Sequence, residues 1–365
     1  MLPNESYFSR ILAQFQIEGT LTSLKINREG HINTTVFSTF TEDGVVTKYT
    51  HQKINTFVFK DPEALMENVS LVTSHIRAKL AGRYEDLERR CLEVIKTRSG
   101  ANGYVDEDGG YWRTYRYIDG VKTYKTIGNE RQAYLLGEAV GNFQLQLSDF
   151  DGHLLSETIP HFHDMRVRYA QLEHAMQTNY QGRLSLVGPE LGFLLENRER
   201  GFVLTDALSQ GDVPLRVTHN DTKINNVLFS ENGNEALCII DLDTVMPGSI
   251  LFDTGDMIRT ATTSAEEDTT DLSTVTCNVR LHRALLDGYF SKATFLTPTE
   301  RSLVVESGRT ITQIMAVRFL TDFLNGDRYY HIDREQQNLD RTRTQITLMR
   351  DMDDKWEILQ QGVET

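Results

Sequence analysis

THNDTKINNVLFSENGNEALCIIDLDTVMPGSILFDTGD, residues 218 to 256, is the stretch from which the rest of the chain is read. Asp221 is followed five places on by Asn226. Two apolar runs, VLFS and EALCIID, flank an Asn/Gly turn and read as a short strand pair ending at Asp241. Asp243 lies two residues further, shares a side with Asp241 where the backbone is extended, and is a further candidate to share the metal or to bind substrate. A carboxylate at 221 can orient and deprotonate a hydroxyl. Asn226 and Asp241 supply hard oxygen ligands of the kind Mg²⁺ prefers, and Lys223 is close enough in sequence to neutralise phosphate charge. Asp253 and Asp256, in FDTGD, are expected to cap the next helix and to accept backbone amides.

Composition bounds what such a stretch can belong to. A chain of 365 residues exceeds the size at which one core keeps growing, so two lobes with a cleft between them are expected. A net charge of −14 argues against nucleic-acid partners, and any phosphorylated ligand must be held by local charge or metal. The 3 cysteines have no CxxC spacing and suit a reducing compartment. The first residues, MLPNESYFSRILAQF, lack the apolar core of a secretory signal, and no run of about 18 apolar residues occurs. The reading is a cytoplasmic chain with no membrane partner; oligomeric state is not legible.

Working outward from the stretch, the texture divides near Gly120. Phe8, Ile11, Leu12 and Phe15 share a face of an amphipathic helix over 5–17. LTSLKI, INTTVFSTF and GVVTKYTHQKINTFVF alternate as three antiparallel strands separated by turns at 29–30 and 42–44. Asp61-Pro62 opens a helix carrying Leu65, Val69, Val72 and Ile76. CLEVIKT and YWRTYRYI, around a loop containing VDEDGG, then complete a five-stranded sheet. Helices are expected at 130–147, 278–291, 299–325 and 334–362, and the polar segment 261–271 as a solvated loop. The fold class is therefore α+β, with a sheet lobe over 1–118 and a larger, mainly helical lobe over 119–365.

Phosphoryl transfer needs an oriented hydroxyl, metal ions bridging the phosphates and a covered site. The five-residue offset of Asp221 and Asn226 is that of the catalytic loop of protein kinases. HNDTKINNVLF followed by IIDLDTVMPGSILFDTGD is similar to the signature of the aminoglycoside phosphotransferase-like kinases. GHINTT at 30–35, ETIPHFHD at 157–164, RFLTDFLNGDRYY at 318–330 and RTRTQITLM at 341–349 extend the resemblance over most of the chain. Within that family the bacterial N-acetylhexosamine 1-kinases are resembled most.

The resemblance implies a bilobal, protein-kinase-like fold and ATP-dependent phosphorylation of a small molecule. For those 1-kinases it implies transfer to the anomeric hydroxyl of N-acetylglucosamine or N-acetylgalactosamine. It makes Asp221 the catalytic base, Asn226 and Asp241 the metal pair, and Asp243 the second acid of IDLD. GHINTT falls where a phosphate-covering turn belongs, with Asn33 and Thr34 as donors to ATP and His31 able to reach the sugar. Lys53 is the expected ATP lysine, with Lys48 as the other candidate; Glu63 and Glu67, the candidates for its helix partner, are expected to be solvated surface carboxylates. Arg318 and Asp322 stand four apart, the spacing of an intrahelical ion pair; the resemblance favours Arg318 as a sugar ligand, with Tyr329 nearby. His161 and His163 are expected to be structural. Other acceptors, namely another sugar, a choline-like amino alcohol or an aminoglycoside, remain open, as does a silent kinase-fold regulator.

Overall fold

A computed structural model describes residues 5–27 and 33–361; the expectation for His31 lies outside the described residues. In chain order the elements are α1 (Glu5–Leu12), β1 (Thr20–Asn27), β2 (Thr34–Glu42), β3 (Val45–Lys53), α2 (Pro62–Leu80), β4 (Tyr104–Val105), β5 (Tyr111–Arg116), β6 (Val121–Lys122), α3 (Glu130–Gln146), α4 (Met165–Thr178), α5 (Gly188–Glu196), α6 (Arg198–Gly201) and α7 (Val203–Gln210). They continue as β7 (Arg216–Thr218), β8 (Val227–Ser230), β9 (Ala236–Ile239), β10 (Met246–Gly248), α8 (Ile250–Ala261), α9 (Val279–Phe290), α10 (Pro298–Leu324), α11 (Gln337–Asp354) and α12 (Trp356–Gln360), joined by short 3₁₀ turns. The class is α+β. The chain forms two compact units: Met1–Lys122 with Asp149–Ile159 and Leu228–Met246, and Thr123–Ser148 with Pro160–Val227 and Pro247–Thr365.

The first unit is built on an antiparallel sheet in the order β1-β2-β3-β5-β4. Alternation gives it two faces. On one, Phe8, Ile11, Leu12 and Phe15 from the α1 segment pack with Val36, Tyr49 and Trp112. The register pairs Lys53 with Trp112 and Gln52 with Arg113, so Lys53 shares the α1 face while Gln52 and Arg113 occupy the other. Asp61 caps α2, accepting the N–H of Ala64 at 2.9 Å, and Pro62 follows at the first helical position. Asn68 on α2 is fully buried and explains why later segments join this unit. Its amide donates to the carbonyls of Ser156 at 2.7 Å and Val245 at 3.0 Å, and its oxygen accepts the Ser156 N–H at 2.9 Å. β8 and β9 form a separate sheet with β6.

CLEVIKT was expected to supply the fifth strand, and the structure gives that place to Tyr104–Val105. The 91–97 segment makes only isolated bridges, Val94 to Tyr115 and Phe15 to Thr97. One edge of β5 is divided: β4 takes Tyr111 and Trp112, and the Glu93–Ile95 backbone bonds Thr114 and Arg116.

In the second unit α3 packs on α9, and α10 on α8 and α11. The first pair touches backbone to backbone: a methyl group on Gly288 would meet the Tyr134 carbonyl at 1.9 Å. Thr297 and Glu300 form a reciprocal capping box at the start of α10. The 261–271 loop is pinned rather than merely solvated. Glu267 accepts from Arg259 at 2.8 Å, and Asp268 accepts from Arg334 at 2.6 Å and from Gln337 at 2.8 Å. The expected 334–362 helix breaks at Lys355 into α11 and α12. Among the described residues no helix is long and apolar enough to cross a membrane.

Candidate active site

In the second unit, residues 219–226 hang from the first turn of α8. Asp253, wholly buried, accepts the N–H of His219 at 3.1 Å and of Asn220 at 2.7 Å, and its carbonyl accepts the Thr222 hydroxyl at 2.7 Å. Gln144 donates to the same carboxylate at 3.1 Å. The expectation of amide bonding thus holds for Asp253, whereas capping of α8 falls to Ser249. Asp256 instead pairs with Arg259 at 2.9 Å, which leaves its other carboxylate oxygen buried without a hydrogen bond. Burial raises the pKa of Asp253, opposed by His219 and by the amides it accepts. Asn220 sits at φ 67°, the left-handed region that a short polar side chain tolerates.

This support presents Asp221 with both carboxylate oxygens engaged. One faces Lys223 Nζ at 2.8 Å, and the other accepts the Asn226 side-chain N–H at 2.8 Å. The same Asn226 nitrogen also donates to the Asp221 carbonyl at 2.9 Å. Both bonds use nitrogen, so the amide oxygen is the atom with which Asn226 can meet a cation. Burial pulls the Asp221 pKa upward, but the Lys223 charge, His219 and the Asn226 bond prevail and hold it below the ordinary carboxylate value. Lys223 is correspondingly raised: burial opposes its charge, and Asp221 and Asp256 outweigh that.

Behind the loop an aromatic line leads to Arg318. The His163 ring lies 5.1 Å from Phe252 and 4.5 Å from Phe162. Phe162 in turn has the Arg318 guanidinium at 4.9 Å, with the rings of Tyr330 at 5.6 Å and Tyr329 at 5.8 Å. The Arg318–Asp322 ion pair that their spacing allows does not form. Asp322 is taken by the N–H groups of Arg328, Tyr329 and Tyr330 and by the Asn338 amide. Arg318 bonds only the Met315 sulfur, at 3.6 Å, and forms no ion pair among the described residues. A second cation, Arg168, is held by the carbonyls of His161 and Phe162. Burial, then the Arg318 charge, lowers it to about 10. The Tyr330 hydroxyl is buried without a hydrogen bond. Neither Arg168 nor Tyr330 stood out in the sequence: Tyr330 is placed by a turn that Asp322 organises, and Arg168 by the His161 and Phe162 carbonyls of the preceding loop.

The first unit holds Asn33, Thr34, Lys53, Asp241 and Asp243. Asp241 follows β9 at φ 61°, a strained position for a non-glycine residue. Asp243 is buried and pairs with Arg113, while its second oxygen accepts the Asn33 amide N–H at 2.7 Å. Thr34 opens β2 opposite Lys53. Lys53 projects from the other sheet face, where Asp106 lies at 3.3 Å; Glu67 is bonded to Asn102 instead. Lys48 pairs with exposed Asp119. Asn33 and Asp243 are therefore brought together and Lys53 is kept from them. Arg113 was missed, since an arginine in YWRTYRYI carries no signal of which face it takes. Among the described residues no cluster of three His, Cys, Asp or Glu side chains could hold a metal.

Residues 24–289 of the chain match the phosphotransferase enzyme family, APH. The chain belongs to that family. Among solved structures, this phosphotransferase-family chain is similar to an aminoglycoside phosphotransferase from Alicyclobacillus acidocaldarius subsp. acidocaldarius DSM 446, at 12% identity and TM-score 0.60 over 100% of this chain and 97% of the other. A microcompartment-associated aminopropanol kinase matches at 11% identity and TM-score 0.57, over 97% and 98%. A Plasmodium vivax ethanolamine kinase matches at 13% identity and TM-score 0.53, over 88% and 82%. At these identities the likeness speaks for the fold alone. The family assignment comes from the sequence match and makes the chain a small-molecule phosphotransferase.

Proposed function

We propose that this phosphotransferase transfers the γ-phosphoryl group of ATP to the anomeric hydroxyl of an N-acetylhexosamine, N-acetylglucosamine or N-acetylgalactosamine, yielding the sugar 1-phosphate and ADP. The observation that carries the reading is the Asp221 carboxylate, ionised and held between Lys223 and Asn226 on a loop fixed by Asp253. In this reading Asp221 accepts the hydroxyl proton as the sugar O–P bond forms and the P–O bond to ADP breaks. Lys223 offsets charge on the transferring group. Asn226 and Asp241 are hard oxygen ligands suited to Mg²⁺ and stand at the sequence offsets of a kinase metal pair. Magnesium, when bound, neutralises and orients phosphate oxygens.

The acceptor class follows from Arg318. A guanidinium with no carboxylate partner among the described residues and framed by aromatic rings suits ring hydroxyls and an acetamido carbonyl. Together with Arg168 it disfavours a cationic acceptor, although the solved structures resembled include kinases named for amino alcohols and an aminoglycoside phosphotransferase. The test is an ADP-release screen over N-acetylhexosamines, other sugars, amino alcohols and aminoglycosides, with Asp221→Asn as the control. Turnover of an N-acetylhexosamine with an anomeric phosphate product supports the reading. Turnover of a cationic acceptor alone transfers the site to that class. Mg·ATP binding without turnover of any acceptor favours a regulatory binding protein.

A further inference from the structure

Asp243 joins three segments of the first unit. Its carboxylate receives Arg113 from the middle of β5 and, at 2.7 Å, the amide of Asn33, the residue before β2. Asn33 is fixed in turn by the Asn55 N–H, which its oxygen accepts at 2.9 Å just beyond β3. Gln52 seats the arginine, accepting its Nε–H at 3.0 Å, while the Gln52 amide donates to Thr35 at 3.2 Å. Arg113 and Asp243 are both buried, at 2% and 5% exposure, so neither ion is screened by water. On this face of the sheet Gln52 is the β3 residue opposite Arg113, and Lys48, four places earlier on the same face, pairs with exposed Asp119. Lys53 belongs to the opposite face, bound to an Asp106 that also accepts from Tyr7 at 2.7 Å and Trp112 at 2.7 Å.

We infer that Asn33, Asp243 and Arg113 form a positioning clamp for the nucleotide, with Asp243 serving as its anchor rather than as a metal ligand. The clamp ties Asn33, immediately before β2, to the loop that carries Asp241. Arg113, contributed by β5, does the holding that was expected of a β3 lysine. One carboxylate oxygen of Asp243 accepts the Asn33 amide; the other is buried, ion-paired with Arg113 but without a hydrogen bond, and a metal would have to displace the guanidinium to use it. The inference rests on the nucleotide reading above.

The experiment is calorimetric titration of the full chain with Mg·ATP, paired with steady-state kinetics over a Mg²⁺ series and thermal melts. Wild type, Asn33→Ala, Asp243→Asn, Arg113→Met, Arg113→Lys and Lys53→Met are compared. Asn33→Ala removes one amide from a half-buried position, so the test does not depend on a variant that fails to fold. It and Asp243→Asn are expected to weaken Mg·ATP about tenfold, through KM more than kcat, with the Mg²⁺ requirement unchanged. Arg113→Lys is expected to recover part of what Arg113→Met loses, and Lys53→Met to stay within about twofold of wild type. A raised Mg²⁺ requirement in Asp243→Asn overturns the inference, as does a tenfold loss in Lys53→Met with Asn33→Ala unaffected. Absence of Mg·ATP binding by wild type instead removes the nucleotide reading itself.

Discussion

Asn226 donates its one side-chain nitrogen to two oxygens of Asp221, the carbonyl at 2.9 Å and a carboxylate oxygen at 2.8 Å. The five-residue offset between them is thereby turned into a fixed orientation. In the proposed reading, Asn226→Ala removes the clamp on the base and the amide oxygen offered to a cation. Its kcat for ADP release is expected to fall about 10²-fold, and that of Asp221→Asn by about 10³-fold, in line with the loss of a positioned base. Near-ultraviolet dichroism identical to wild type identifies the loss as chemical.

Among the described residues Arg318 forms no ion pair, so in the proposed reading its removal reports on the acceptor. Arg318→Ala is expected to raise the acceptor KM by roughly 10- to 100-fold with kcat nearly unchanged, the pattern of lost uniform binding. Arg318→Lys recovers little, because a lysine has no planar fork to set among Phe162, Tyr329 and Tyr330. Initial rates across an acceptor series decide this, and a kcat effect without a KM effect contradicts it.

Asp253 is wholly buried and satisfies two loop N–H groups, so Asp253→Ala leaves both unpaired in a dry site. A loss of about 3 kcal/mol in unfolding free energy is expected, with activity falling alongside. Urea denaturation measures it.

Two glycines in helices give opposite outcomes. A methyl group on Gly288 meets the Tyr134 carbonyl at 1.9 Å, and backbone cannot yield as a side chain can. Gly288→Ala is expected to destabilise by about 3 kcal/mol. Nothing lies within 4 Å of a methyl group on Gly192 in α5, so Gly192→Ala is expected to stabilise by about 0.5–1 kcal/mol. Paired thermal melts check both.

His51 lies fully buried between the hydroxyls of Ser38 at 2.6 Å and Thr114 at 2.8 Å, and burial lowers its pKa to about 3. Burial lowers His282 to about 4. An unfolded histidine takes a proton below about 6.5, whereas these remain neutral in the folded chain. The folded pKa is the depressed one, so stability is complete above pH 6.5 and falls as the pH drops toward 4. The expected slope is about 1.4 kcal/mol per pH unit for each histidine. His51→Gln, which keeps both hydroxyls bonded, should flatten the urea-midpoint profile between pH 6.5 and 4.

Local patterns carried much of the fold. Alternation in LTSLKI and INTTVFSTF marked β1 and β2, Asp61-Pro62 marked the start of α2, and the Phe8–Phe15 spacing marked the face that packs on the sheet. CLEVIKT was misread because its composition is that of a strand, while only its backbone neighbours determine whether it pairs continuously. A single boundary at 118 was expected, but Asn68 reaches Ser156 and Val245, and such long-range bonds leave no periodic trace.

By itself the sequence determined the chemistry available to this protein: Asp221 and Asn226 at a fixed offset, Asp241 at the end of an apolar run, and the family to which these motifs belong. Only the tertiary structure decided which side chains those groups meet. Lys53 and Gln52 are neighbours in the chain, yet the pleat sends them to opposite faces, one to Asp106 and the other to Arg113. Arg318 and Asp322 have the spacing of an ion pair, yet three backbone amides from the 328–330 turn claim the acid. In both cases spacing along the chain limits what a residue can reach. Competition among all the groups packed around it, burial and unsatisfied backbone above all, selects the partner.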